Sequence, residues 1–501
     1  MKIDTSLVVL ATVSGAAAFW RMECRGRAGL ARIDPLVNPG EVGQHVHHIH
    51  ASSGFSEKAT YDDLVNAECT SCAVTQDKSA YWAPALYFNH ANGTYQAVEQ
   101  VGGMLAYYFL RPDANNPKSG VTAFPEDFRM IARDSLRRNY SIGGQDATKA
   151  DPEQSLWAAL GQTTQTDLEQ RAVGFNCLDY NKAPEGSLYR HYMPDKDYLD
   201  ANCKDGVRIE VMFPSCWNGK DLDTKNHRDH VAYPDLVMAG GCPEGFDVKL
   251  PGLFYETIWA TNAFAGVDGK FVVANGDEKG FGYHADFIMG WESVDYLQSA
   301  VDVCTNDSGK IQDCPLFNIQ DEPTQRQCQM KLPSAIAKEK VEGLVGETLP
   351  GDVAIQFGPE PATNKNPGPQ TTTVAVPTVS YSAGISVSAS GSPVVGGVFK
   401  QSTTIPTPSA SAAAFSAQAV DAPASAVTPA PVAPAALAGD YEVVRTEYHT
   451  VGNAVNMVIV KEAVEYQTIA TTTVTVQAAP SAKARREAHA HRHRRSGRAR
   501  R

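Results

Sequence analysis

The chain has 501 residues, of which 43% are hydrophobic and 20% charged, and it carries a net charge of −12. This balance excludes wholesale disorder and a collagen-like fold, and no apolar run reaches the roughly 20 residues that a membrane-spanning helix needs. The acidic body also argues against nucleic-acid binding, which requires a basic face.

The first 18 residues are typical of a secretory signal peptide. Lys2 precedes an apolar stretch at residues 7–13, and the alanines at 16–18 form a small-residue cleavage site. Glycosylation sequons begin at Asn92, Asn139 and Asn306. The sequence therefore predicts a glycoprotein that is secreted to the extracellular space or the cell wall.

Cysteine usage agrees with that compartment. All ten cysteines lie between Cys24 and Cys328, and an even number in a secreted protein predicts disulfide bonds. Cys69 and Cys72 have the spacing of a redox motif, but no thioredoxin-like strand and helix pattern surrounds them. Structural disulfides are therefore favoured over a redox role.

Residues 19–350 are predicted to form one large, disulfide-stabilised domain of the β-rich α+β class, with a β-sandwich-like architecture. Short runs of aromatic and β-branched residues predict strands, whereas helical periodicity is scarce. The predicted strands are 80–88, 207–213 and 252–259, and the predicted helices are 167–172 and 292–304.

After the predicted domain the composition changes. Residues 351–440 are rich in Ser, Thr, Pro and Ala, which predicts a disordered stalk. Residues 441–480 are β-prone, especially at 455–460 and 471–476. The Arg- and His-rich residues 481–501 predict a basic tail that contacts anionic polymer or a membrane surface, or that is simply solvated or trimmed.

Histidine distribution gives the most specific chemical signal. Four of the thirteen histidines fall within residues 45–50. On an extended strand His45 and His47 share one face, while His48 and His50 share the other. Two neutral imidazoles on one face can bind one metal ion. The candidate ligands of a divalent metal are therefore His45, His47 and His227, although the sequence does not require a metal.

Other polar and aromatic side chains extend the candidate site. The candidate catalytic residues are His45, His47, Asp223, His227, His230, His284 and Asp286. The candidate sugar-stacking residues are Tyr81, Trp82 and Trp217, because flat rings stack on sugar rings. Hydrolysis needs two paired carboxylates, whereas a lyase needs a base and a cation next to the substrate carboxylate. Both reaction types stay open.

Several long motifs resemble domain-of-unknown-function family nineteen-ninety-six. They lie at residues 19–27, 45–50, 76–87, 184–188, 213–223 and 284–287. The resemblance covers about residues 19–328 and implies a secreted protein of the fungal wall or extracellular space. All the candidate catalytic residues, together with Tyr81 and Trp82, fall on motif positions. His48, where relatives commonly carry Thr, is left out of the site.

The resemblance implies no activity, because the family is named for lacking one. We expect a protein that acts on cell-wall polysaccharide, as a hydrolase or a lyase, through a groove of His, Asp and Trp side chains. The alternative is a non-catalytic glycan-binding or structural wall module, in which the same residues form a buried polar network.

Overall fold

The computed structural model describes residues 18–363, 442–451 and 454–462. The predicted signal peptide up to Ala17, the predicted stalk beyond Thr363, the predicted strand at 471–476 and the basic tail lie outside the described residues. The chain divides into two units, Met1–Thr404 and Ile405–Arg501.

The first unit is built mainly from short strands. The strands are β1 (Phe19–Cys24), β2 (Gly29–Ala31), β3 (His47–Ala51), β4 (Ala80–Pro84), β5 (Leu86–His90), β6 (Tyr95–Ala97), β7 (Gln100–Phe109), β8 (Arg129–Ala132), β9 (Val173–Cys177), β10 (Val207–Met212), β11 (Cys216–Trp217), β12 (Val231–Ala232), β13 (Val248–Lys249), β14 (Gly252–Trp259), β15 (Gly269–Val273), β16 (Ala285–Ile288) and β17 (Leu344–Gly346).

Helices are few and short. The α-helices are α1 (Tyr61–Val65), α2 (Gln154–Trp157), α3 (Gln165–Arg171), α4 (Lys196–Asn202), α5 (Val294–Val303) and α6 (Glu322–Gln327), and two 3₁₀ turns span Thr261–Phe264 and Ile311–Asp313. Both predicted helices are present, as α3 and α5. Thr164 and Ser293 cap them, each accepting a hydrogen bond from a first-turn backbone N–H.

The strands form four sheets in this unit. Two have five strands, in the orders β1-β7-β14-β10-β9 and β2-β3-β4-β16-β8. The other two have the orders β15-β5-β6-β17 and β12-β11-β13. Neighbouring strands pair antiparallel throughout. The predicted β-rich class, with several antiparallel sheets, is confirmed.

The predicted strands are present, with one interruption. β14 has the predicted bounds, and β10 ends one residue early. The run at 80–88 is divided into β4 and β5, which belong to different sheets. Pro84 lies at the division, where its missing N–H removes a ladder hydrogen bond. The chain therefore changes sheets at this residue.

The sheet β2-β3-β4-β16-β8 is covered on both faces. On its inner face Tyr81 lies 5.5 Å, between ring centroids, from Tyr255 of the other five-stranded sheet. On its outer face Ile49, Trp82 and Ile288 belong to a second, smaller apolar cluster. The alternation of side chains along β3 therefore separates His47 from its neighbours His48 and His50.

All ten cysteines form disulfides, as predicted. The pairs are Cys24–Cys72, Cys69–Cys328, Cys177–Cys203, Cys216–Cys242 and Cys304–Cys314. Cys69 and Cys72 belong to different disulfides, so this spacing marks two structural cross-links and not a redox pair. These two disulfides connect the segment between β3 and β4 to β1 and to the end of α6.

The packed backbone of this unit continues beyond residue 350. The Ala362 amide donates to the Leu136 carbonyl, and the Gln356 amide donates to the Gly276 carbonyl. Among the described residues, no helix is long and apolar enough to cross a membrane.

The second unit contains an antiparallel hairpin. Its strands are β18 (Glu442–Val451) and β19 (Ala454–Glu462), and Val451 pairs with Ala454. The β-prone residues 455–460 lie within β19.

Candidate functional site

A cavity of about 780 Å³ opens beside the strands that carry the predicted histidines. His45 and His284 line one part of it, and His227 lines another. The remaining wall comes from separate loops, with Asp34, Arg133 and Arg228 among its residues. We call this space the histidine cavity.

His45, His47 and His284, here termed the histidine triad, meet at this cavity. His47 begins β3, and His284 directly precedes β16. One nitrogen from each ring lies within 4.8 Å of one nitrogen from each of the other two. The His45 and His284 Nε2 atoms are 3.3 Å apart, and the ring centroids of His45 and His47 are 4.3 Å apart. Three imidazoles from two chain segments therefore converge.

Backbone carbonyls fix the orientation of two triad rings. Nδ1–H of His47 donates to the Ile33 carbonyl at 3.1 Å, and Nδ1–H of His284 donates to the Gly282 carbonyl at 2.9 Å. Each Nε2 then presents a lone pair, and that of His284 faces the Nε2 of His45. The buried His47 Nε2 has no hydrogen-bond partner within residues 18–363.

Burial keeps the histidine triad neutral. Desolvation lowers the pKa of His45 and His47 well below its usual value, and neighbouring imidazoles lower it further. Desolvation also lowers the pKa of His284 to about 4. Because neutral imidazole is the form that binds metals, the triad presents three ligand nitrogens at neutral pH.

Asp286 lies on β16 next to the histidine triad. Its Oδ2 is 3.9 Å from His284 Nε2, and the side chain is completely buried. Neither carboxylate oxygen has a hydrogen-bond partner among the described side chains and backbone. Burial, together with nearby Asp34, raises the pKa of Asp286 well above its usual value. A carboxylate in this position is costly unless a proton or a cation neutralises it.

His227 and Asp223 form a second pair at the histidine cavity. Nδ1–H of His227 donates to Asp223 Oδ1 at 2.7 Å, which leaves Nε2 as a proton acceptor. The pair is accessible, with 18% and 33% of the two side chains exposed. His227 has a φ of 57°, unusual for a residue with a side chain, and its carbonyl accepts from the Ile131 amide. This strained position holds the imidazole at the cavity wall.

Basic side chains dominate the rest of the lining. Five arginines and lysines face two aspartates, namely Arg32, Arg133, Arg138, Lys225 and Arg228 against Asp34 and Asp134. Arg133 is buried and donates to the carbonyls of Glu169, Phe281 and Tyr283. Burial lowers the pKa of Arg133 to about 10, so this residue stays cationic at neutral pH. Three of these cations have acidic partners, namely Glu339 for Arg32, Asp277 for Arg138, and Asp134 and Glu169 for Arg228. The positive charge of Arg133 and Lys225 remains and suits the histidine cavity to an anionic ligand.

Some predicted site residues lie elsewhere. His230 is buried against Phe128, and its Nε2–H donates to the Arg129 carbonyl at 2.9 Å, so it supports the loop that carries His227. The predicted third metal ligand also differs, because His284 and not His227 joins His45 and His47.

The predicted sugar-stacking surface is wrong for two of its three residues. Tyr81 and Trp82 are completely buried, and Tyr81 O–H bonds to Asp77 and Tyr108. Trp217 is half-buried, donates from Nε1 to the Asp221 carbonyl at 2.7 Å and lies outside the cavity lining. Large aromatic residues serve cores more often than binding surfaces, and these two follow that tendency.

His48 and His50 lie on the opposite face of β3 from His47. His50 Nδ1–H donates to the Gly26 carbonyl at 2.9 Å, and its Nε2 accepts from Gln100 at 3.1 Å. Nε2 of His48 lies 3.4 Å from the Tyr283 hydroxyl oxygen. These two rings form a buried polar network between the sheets and do not line the histidine cavity.

Sequence reasoning did not identify the basic lining or Asp34. Asp34 is buried, and its Oδ1 accepts from the amides of Leu36 and Val37. Arg133 and Arg138 follow β8 without any recognisable motif. These residues come from separate loops, so only the folded chain brings them to the histidines.

Comparison with known proteins gives one match. The model of the family described as a domain of unknown function (DUF1996) matches residues 34–291, slightly more than half of the chain. The matched region contains the histidine triad, Asp286 and the His227–Asp223 pair. No curated protein and no solved structure matches the chain.

Proposed function

We propose that this chain, which belongs to the family described as a domain of unknown function (DUF1996), is a secreted enzyme that cleaves an anionic cell-wall polysaccharide by β-elimination. One observation carries the proposal. Histidines from separate chain segments converge on one open cavity whose lining is predominantly basic. An acidic sugar polymer complements that charge, whereas a neutral glucan does not.

The His227–Asp223 pair is suited to the role of general base. Asp223 fixes the tautomer, so that Nε2 of His227 can accept the proton from the carbon next to the substrate carboxylate. The carbon–oxygen bond at the adjacent carbon then breaks, a carbon–carbon double bond forms, and the departing oxygen takes up a proton. Lys225, two residues before His227 and part of the cavity lining, would neutralise the substrate carboxylate.

Hydrolysis is less well supported by the acids of the cavity. A glycosidase needs one carboxyl group as acid and a second as base or nucleophile. Asp34 and Asp286 are buried, Asp223 accepts a hydrogen bond from His227, and Arg228 Nη1 lies 3.8 Å from Asp134. β-Elimination needs no such carboxylate pair, so it fits the lining better.

Three features support the secreted compartment. All ten cysteines are oxidised, which is typical of proteins that pass through an oxidising compartment. The sequon residues Asn92, Asn139 and Asn306 are exposed, and Asn92 Oδ1 accepts from Thr94 Oγ1 at 2.8 Å. The N-terminal signal sequence and the predicted stalk are consistent with a wall-associated protein.

The scaffold suits such a site. The two five-stranded sheets contact each other through Tyr81 and Tyr255, which supports the predicted sandwich-like arrangement. The histidine cavity would then lie beside the outer face of one sheet, where the substrate could enter without disturbing the main core.

Activity assays with matched variants test the proposal. The purified full chain is incubated with polyglucuronate, polygalacturonate, β-glucan and chitin, and unsaturated products are followed by ultraviolet absorbance. We expect product from an acidic polymer and a loss of about 10²- to 10⁴-fold in His227→Gln, which removes the base. His90→Gln, whose ring bonds to Gln96 away from the cavity, should retain wild-type activity.

Other outcomes would contradict the proposal in distinguishable ways. Reducing ends without unsaturated product would indicate hydrolysis. Binding to the polymers without turnover would favour the glycan-binding module. Equal activity in His227→Gln and the wild type would exclude His227 as the base.

A further inference from the structure

We infer that His45, His47 and His284 form a transition-metal site, and that Zn²⁺ is the ion that fits it. The inference concerns binding alone and stands independently of the proposed polysaccharide chemistry. It rests on the separation of the ligand atoms, on the orientation of the rings and on two buried polar groups that the described protein leaves unpartnered.

The separation of one pair of nitrogens, those of His45 and His284, matches a tetrahedral ion. Zinc binds imidazole nitrogen at about 2.0–2.1 Å, so two nitrogens of a tetrahedral site lie about 3.3–3.4 Å apart. The His45 and His284 Nε2 atoms are 3.3 Å apart. The same two ligands in a square-planar site would lie about 2.9 Å apart at that bond length. The spacing of this one pair is closer to that expected for tetrahedral Zn²⁺ than to that expected for square-planar Cu²⁺.

The orientation of the rings is that of metal-bound histidines. Such histidines usually donate their other N–H to a carbonyl or carboxylate, which directs the lone pair at the ion. His47 and His284 do so through Ile33 and Gly282. Three imidazoles favour Zn²⁺ or Cu²⁺ over Mg²⁺ or Ca²⁺, which prefer oxygen ligands.

The buried polar atoms without hydrogen-bond partners belong to His47, a member of the triad, and to Asp286, which lies beside His284. His47 Nε2 and both oxygens of Asp286 are buried without a hydrogen bond to any described part of the protein. Buried polar groups are normally paired, so several together need an explanation. A dication beside the triad would satisfy His47, and the Asp286 carboxylate, 3.9 Å from His284 Nε2, would balance its charge. The three histidines supply three protein ligands, which leaves the fourth position of a tetrahedral ion open to water.

His45 gives the ion a route from solvent. His45 is half-buried as a residue and lines the histidine cavity, whereas His47 and Asp286 lie deeper. The site would therefore load from the cavity without unfolding. An ion held there would face the same space as the His227–Asp223 pair.

Metal titration of the full-length chain tests the site. After chelator treatment the protein is titrated with Zn²⁺ by calorimetry, and Co²⁺ is added separately as a spectroscopic probe. We expect one Zn²⁺ per chain, and intense visible bands of tetrahedral Co²⁺ that disappear when Zn²⁺ is added. His47→Gln should weaken Zn²⁺ binding at least 100-fold, and Asp286→Asn should weaken it by about 10- to 100-fold.

His50→Gln is the matched control. His50 lies on the same strand, is equally buried and donates to a backbone carbonyl, but faces away from the triad. It should retain wild-type Zn²⁺ affinity.

Two results would overturn the site. One is an equal loss of Zn²⁺ affinity in His50→Gln and His47→Gln, and the other is the absence of stoichiometric metal in the wild type. A Co²⁺ spectrum without the intense bands of a tetrahedral ion would overturn the choice of metal. The Co²⁺ spectrum of the wild type decides the geometry even if a variant fails to fold.

Discussion

Burial of titratable side chains is the dominant feature at the scale of single residues. His45 and His284 line the cavity and Asp286 lies beside His284, while Glu210 and Glu256 are buried on β10 and β14, where they pair across the two strands. Arg208 Nε lies 2.8 Å from Glu210, while Tyr107 O–H donates to Glu256 at 3.1 Å. Arg208 therefore compensates the negative charge of two carboxyl groups, and the charge of Glu256 is compensated incompletely.

Glu256 should make the stability of the protein depend on pH. Desolvation raises its pKa from 4.5 to about 7, so the folded protein holds this proton more tightly than the unfolded chain. The stabilisation is present below about pH 4.5 and is lost as the pH rises through 7, a difference of roughly 3 kcal/mol. Glu256→Gln should therefore be more stable than the wild type at pH 8 in urea unfolding.

The same measurement provides its own controls. The advantage of Glu256→Gln should vanish below about pH 4, where the wild-type carboxyl is protonated in both the folded and the unfolded state. Glu292→Gln, which alters an exposed carboxylate, should follow the wild type at every pH. A pH-independent effect of Glu256→Gln would show that packing and not protonation is responsible.

At the scale of secondary-structure elements, β7 contains a glycine-dependent irregularity. Gly102 and Gly103 have φ values of 72° and 78°, and the register with β14 shifts at this point. Glycine adopts such angles without the penalty that a Cβ imposes. The irregularity places Gln100 next to the buried histidines of β3. Its Nε2 donates to the Gly103 carbonyl and to His50 Nε2.

These adjacent glycines give a paired prediction. A Cβ on Gly103 would lie 2.0 Å from the Cys24 carbonyl oxygen, whereas on Gly102 it would come no closer than 3.8 Å to Arg25 Nη1. Gly102→Ala should cost about 1 kcal/mol through backbone strain alone. Gly103→Ala adds a clash with backbone and should cost at least about 3 kcal/mol. Urea unfolding of both variants measures this difference, and equal losses would contradict the clash.

The elements also show what the sequence could predict. The run 252–259 is a strand with the predicted bounds, because its aromatic and β-branched residues suit a buried central strand. The separation of His47 from His48 and His50 followed from the two-residue period of a strand. Tyr81 and Trp82 were misjudged, because residue type alone does not distinguish a buried ring from an exposed one.

At the scale of the whole molecule, disulfides connect distant parts of the first unit. Cys69–Cys328 closes a loop of 259 residues, whereas Cys304–Cys314 closes one of 10. Their pairing could not be predicted, because ten cysteines allow many combinations and only the fold selects one. The basic cavity lining escaped prediction for the same reason, since Arg133 and His45 become neighbours only in three dimensions.

Loop length should decide how much each of these disulfides stabilises the protein. In the chain-entropy model the 259-residue loop contributes about 5–6 kcal/mol and the 10-residue loop about 3 kcal/mol. Replacing Cys69 and Cys328 by Ser should therefore lower the urea midpoint more than replacing Cys304 and Cys314. An equal or smaller effect of the longer cross-link would contradict the entropic account.

The charge of the histidine cavity provides the most direct test of the proposed function. The full-length protein is assayed in parallel on a polyuronate and on the same polymer after its carboxyl groups have been reduced to alcohols. We predict unsaturated product from the acidic polymer and none from its neutral counterpart, because elimination requires the carboxylate that the basic lining would bind. Equal cleavage of both polymers, or no product from a range of polyuronates, would contradict the account.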